Sequence, residues 1–114
     1  VEKPMVTNAG DARKLLALSK RVRRSLQIAI QGTHTDMPLM KAKLGDKVCL
    51  WGGVSGAVTV ETGSEAEIRS AVGRAIQTLG PKGFILSPVD NITVDAPLTW
   101  RNVDIFIDEW RKQW

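Results

Sequence analysis

Between Gly63 and Asn91 the spacing of apolar positions changes period twice. Ile68, Ala71, Val72, Ala75, Ile76 and Leu79 recur at intervals of three and four, which is one face of an α-helix. Ser64 stands ahead of them with Glu67 three residues on, the spacing of a capping box, and predicts the helix start. Gly80-Pro81 predicts the stop, with the glycine in a left-handed cap and a proline that cannot continue the helix. Phe84-Ile85-Leu86 is wholly apolar and too short for a helix, so it predicts a strand buried on both faces. Ser87-Pro88-Val89-Asp90-Asn91 then predicts a polar loop at the carboxyl end of that strand, where parallel α/β folds bind ligands.

The same reading orders the rest of the chain. Asn8 caps a first helix, with Asp11 placed well for the helix dipole and Ala12, Leu15, Leu16 and Val22 as a partial apolar face. Residues 25–31 alternate as a strand, and Gly32 to Asp36 form a polar loop. Met37 to Leu44 is a short helix with Pro38 in its first turn. Val48-Cys49-Leu50-Trp51 is a second buried strand that ends at Gly52-Gly53, a turn or a place for close backbone approach to a ligand. Ala57 to Val60 reads as either an extended segment or a turn of helix. Thr99 caps a last helix, with Trp100, Val103, Ile107, Trp110 and Trp114 on one face as a packing seam or a ligand stack. The order α-β-α-β-α-β-α predicts an α/β fold with a parallel sheet and right-handed crossovers. Three parallel strands leave two open edges. The expectation is one domain over residues 1–114 that is about half of a barrel, or dimerises, or gains an edge strand from its first residues.

Composition narrows the picture. The 114 residues are 43% hydrophobic, enough for one core, and no apolar run approaches the length of a membrane span. No signal-peptide pattern opens the chain, and it starts at Val1, as a processed chain or a piece of a longer one would. Cys49 is the single cysteine, which predicts a reducing, cytoplasmic setting. The net charge of +4 is concentrated early, in Arg13, Lys14, Lys20, Arg21, Arg23 and Arg24. That cluster is an anion-attracting face or a solvated helix surface, and without interleaved aromatics it does not predict nucleic-acid binding. Neither a nucleic acid nor a membrane is expected as a partner.

Candidate chemistry sits in the loops. His34, the sole histidine, lies beside Asp36 and is a candidate general base or a plain loop residue. Asp90 and Asn91 offer a carboxylate and an amide that suit a pyrrole N–H, an amine or a hydroxyl; the alternative is an Asx turn. Gly53 and Ser55 join them as candidate substrate-binding positions. Cys49 reads as a core filler, and the set of His, Cys and Asp specifies no metal site. No cofactor motif is complete.

Leu44-Gly45-Asp46, Cys49-Leu50-Trp51-Gly52-Gly53, Thr62-Gly63-Ser64-Glu65-Ala66-Glu67-Ile68, Leu79-Gly80-Pro81-Lys82-Gly83-Phe84-Ile85-Leu86-Ser87-Pro88, Asn91-Ile92, Asp95-Ala96-Pro97 and Asn102-Val103 together resemble the carboxyl-terminal part of the uroporphyrinogen decarboxylase superfamily, over residues 36–114. That resemblance implies the last three strands of a (β/α)8 TIM barrel, and a lyase acting on a tetrapyrrole or a zinc methyltransferase linked to a corrinoid. Asp90 stands where the decarboxylases carry His, and Val89-Asp90 where the methyltransferases carry a Cys ligand, so neither named activity transfers with the fold. Residues 1–32, with Val1-Glu2-Lys3-Pro4-Met5, Asp11-Ala12, Leu15-Leu16-Ala17-Leu18 and Leu26 to Gly32, resemble the Glu-Lys-Pro segment of the glucose-fructose oxidoreductase and inositol dehydrogenase family. That implies Lys3 as a contact to a nicotinamide, although the phosphate-binding glycine turn is missing. The segment also reads as a decarboxylase-type crossover. The two resemblances suggest a chimera joined near residues 31–36. The isolated chain is then expected to be an inactive barrel fragment, a dimeric structural module, or the remnant of an oxidoreductase.

Overall fold

The computed structural model describes residues 8–22, 27–30 and 36–113. Helix α1 (Ala9–Arg21) begins as the sequence dictates, because the Asn8 side chain accepts from the backbone N–H of Asp11 at 2.9 Å. Strand β1 (Gln27–Ile30) follows, then α2 (Met37–Leu44), capped by Asp36 and carrying Pro38 in its first turn. Next come β2 (Cys49–Ser55), a π-helical turn (Gly56–Val60), α3 (Glu65–Leu79), β3 (Phe84–Val89) and α4 (Pro97–Gln113). The strands pair in the order β1-β2-β3, all parallel, so the molecule is α/β with a parallel sheet. The predicted capping box of α3 is present, with Ser64 and Glu67 exchanging bonds.

Four local expectations are corrected. Gly52 and Gly53 do not turn the chain: both lie inside β2 with positive φ, 127° and 100°, and the strand runs on to Ser55. Gly80 caps α3 with φ −73°, and the left-handed position falls to Gly83, φ 68°, in the 81–83 turn. Ser87 and Pro88, expected in the loop, instead extend β3, because register pairing to Gly53 and Val54 carries the ladder through them. Thr99 lies inside α4, which starts at Pro97; its hydroxyl is buried without a partner among the described residues.

The core forms where α3 lies over the sheet. Leu50, Val54, Val60, Ile68, Val72, Ala75 and Leu79 are essentially inaccessible. Gly53 is required here, since a Cβ on it would stand 2.9 Å from the Ala75 methyl and 3.2 Å from the Phe84 ring. The α4 seam also differs from expectation: Thr99, Asn102, Ile105 and Phe106 are buried, while Trp100 and Trp110 remain 54% and 40% exposed. Trp100 instead donates its indole N–H to Asp95 at 2.7 Å. Trp114 lies outside the described residues.

The sheet has two unlike faces. Leu50 and Phe84 are register neighbours and both are buried. One residue on, Trp51 and Ile85 are also register neighbours, yet they are 46% and 43% exposed. Successive side chains of a strand point to opposite faces, so the apolar runs expected to be buried on both sides are covered on one. The opening is local to Trp51 and Ile85, since Gly53, two residues on, is buried against α3.

Candidate functional site

The carboxyl ends of β2 and β3 meet at one corner, and short-range chemistry builds it. Ser55 is paired in register with Val89. Its hydroxyl accepts from the Val58 N–H at 3.2 Å and starts the π-turn, whose close is the Glu61 N–H to Gly56 carbonyl bond at 2.9 Å. Gly56 lets the two strand ends approach: a Cβ there would lie 2.8 Å from the Val89 carbonyl oxygen and 3.3 Å from that of Asp90. Asp90 leaves β3 with φ 68°, a left-handed conformation that Asp tolerates better than most residues. Both Asp90 and Asn91 are exposed.

The loop after Asp90 has no helix or strand bonds of its own through residue 95, and a side chain supplies what the backbone does not. Glu61 is only 8% exposed. Its Oε1 accepts from the Thr93 N–H, from the Thr93 hydroxyl at 3.1 Å and from the Val94 N–H at 3.3 Å. These bonds favour the ionised form, and the Thr93 N–H bond is the largest cause holding the Glu61 carboxyl below its ordinary range, against the opposing effect of burial. Asn102 closes the other side. Its Nδ2 donates to the Val60 carbonyl at 2.9 Å and the Gly63 carbonyl at 3.0 Å, which pins the end of the π-turn to α4.

Of the positions singled out from sequence, the fold brings Ser55, Asp90 and Asn91 to this corner. Gly53 lies two residues short of it and faces Ala75, so its missing side chain serves the packing of α3. His34 and Lys3 lie outside the described residues. Cys49 is half-buried at the opposite end of β2. Among the described residues no three His, Cys, Asp or Glu side chains converge as a metal site. Glu61 was not legible as part of the corner, for its sequence context, Val60-Glu61-Thr62, looks like any polar approach to a helix cap. Asn102 stood out only through the family resemblance. An open groove of about 520 Å³ lies between the π-turn and α3, lined by Val58, Thr59, Thr62, Ser70 and Arg74 among others.

Comparison with protein-family models, with curated proteins and with solved structures gives no match for this chain.

Proposed function

We propose that residues 36–114 are the carboxyl-terminal portion of a (β/α)8 barrel of the uroporphyrinogen decarboxylase kind, and that its full-length context acts on a tetrapyrrole or a corrinoid-linked methyl substrate. The observation that carries this reading is the one-sided sheet. A parallel sheet is normally covered on both faces, and here Trp51 and Ile85 stand open side by side where a barrel wall would face its interior. The second support is position: Ser55, Asp90 and Asn91 gather at the carboxyl end of the strands, the end that carries chemistry in barrels. The Asp90 carboxylate suits pyrrole N–H donors, and Asn91 suits either donors or acceptors on the substrate rim. On this reading the 114 residues by themselves bind without turning substrate over. The lone thiol of Cys49 suits a reducing, cytoplasmic setting.

Titration with uroporphyrinogen under reducing conditions, followed by tryptophan fluorescence and by product analysis, tests this. Saturable quenching is expected, weakened about tenfold or more in Asp90→Ala, with no loss of carboxyl groups. Absence of saturable binding overturns the substrate assignment, and stepwise carboxyl loss overturns the inactivity of the isolated chain.

The exposed Trp51 and Ile85 also favour a second reading, a non-catalytic module whose open face is covered by a second copy. Sedimentation equilibrium decides it: a well-folded monomer at micromolar concentration removes it. Sequencing the flanking reading frame tests the chimeric junction at residues 31–36, and an uninterrupted decarboxylase-like barrel upstream removes that. Nothing among the described residues adds to the nicotinamide reading of Lys3.

A further inference from the structure

We propose that the loop after β3 carries a carboxylate-binding nest, made by the N–H groups of Thr93 and Val94 with the Thr93 hydroxyl, and that Glu61 is its resident ligand and the positioning residue for Asp90 and Asn91. Three donors converge on one oxygen of Glu61. Convergence of successive backbone N–H groups on an anion is the arrangement of an anion nest. The loop between Asp90 and Ala96 runs without helix or strand pairing, so these bonds stand in for a ladder. Asp90 begins the loop in the left-handed region, a conformation that persists where neighbouring structure fixes it. Anchors lie on both sides of the candidate residues: β3 pairing up to Val89, and the Glu61 bonds at Thr93 and Val94. Glu61 itself is fixed between the π-turn and the residues pinned by Asn102. The side chain therefore transmits the position of the β2 corner to the β3 loop. It does not reach the reacting atoms, because its carboxylate is buried and engaged by the loop backbone. The importance of this for substrate rests on the proposed site; the nest itself does not.

The test is residue-resolved amide exchange on the intact chain, with acetate as the probe. Glu61→Ala removes a group of acetate's size and leaves the nest empty. The Thr93 and Val94 amides are expected to exchange about tenfold or more faster than in the native chain, while amides in the middle of α3 keep their rates. Acetate is expected to restore slow exchange saturably, and chloride at equal ionic strength is not. Should Glu61→Ala lose the fold, Glu61→Gln keeps one acceptor oxygen without the charge and is expected to speed the same two amides by a smaller factor. Unchanged exchange at Thr93 and Val94, failure of acetate to restore it, or equal acceleration in α3 and the loop for Glu61→Gln overturns the proposal. None of these readouts involves a tetrapyrrole, so failure here is distinct from failure of the proposed substrate.

Discussion

Asn102 and Gly53 show how much single positions decide in so small a core. The Asn102 amide spends both hydrogens on carbonyls that have no helix partner, those of Val60 and Gly63. Asn102→Leu fills the same volume but leaves the buried Val60 carbonyl and the half-buried Gly63 carbonyl without this donor. A loss of about 1–3 kcal/mol is expected, read as a lower urea midpoint with an unchanged slope. Gly53→Ala puts a methyl into the Ala75 contact at a φ of 100°. That combines overpacking with backbone strain and is expected to cost about 1–3 kcal/mol in the same measurement. Neither role was readable from sequence. Gly53 read as a turn or a ligand-approach glycine, because a Gly-Gly pair after a strand permits either.

At the scale of elements, α3 organises the molecule. Ser64→Ala removes its cap and is expected to cost about 0.5–2 kcal/mol, seen as a fall in thermal midpoint. The opposite end is tied by Lys41 of α2, whose ammonium donates to the Leu79 carbonyl at 2.5 Å and the Lys82 carbonyl at 3.0 Å. Arg69 joins α3 to α4 through Asp108 at 2.8 Å and Glu109 at 3.0 Å, and pairs with Glu65 of its own helix. These bonds raise the Arg69 pKa, so it stays charged throughout. Glu61, Glu67, Asp108 and Glu109 all have carboxyl pKa values lowered from 4.5 for Glu and 3.8 for Asp. The unfolded chain therefore binds more protons in acid than the folded one. Stability from these groups is complete above the unfolded values and drains away as pH falls through the lower folded ones. The urea midpoint is expected to be flat from pH 7 to about 5 and to fall steeply below about 4. A midpoint unchanged down to pH 3 would show that these bonds contribute nothing. The cap of α3 was legible because Ser-x-x-Glu is a local code; the Lys41 and Arg69 ties were not, because their partners lie 38 to 41 residues away.

Among the described residues the strands form one parallel sheet, and its open positions are Trp51 and Ile85. The paired exposure of Trp51 and Ile85 makes Trp51→Lys informative. In a lone chain the substitution touches solvent and is expected to change stability by no more than about 0.5 kcal/mol. If a second copy or further barrel strands cover the face, the same lysine is buried opposite apolar surface, and association is expected to weaken about tenfold or more in sedimentation or pull-down with that partner.

The element order, the parallel α/β class, and the starts of α1, α2 and α3 were legible in the residues alone, since all depend on periodicity and on caps within four residues. The sequence also brought Ser55, Asp90 and Asn91 forward, because the carboxyl ends of parallel strands must share one edge. Tertiary structure alone decided which apolar strand positions are covered, that Gly53 serves packing, and that Glu61 and Asn102 hold the corner. The roles of Glu61 and Asn102 depend on contacts across 32 to 42 residues of chain, where a carboxylate or an amide finds a partner that no local pattern records.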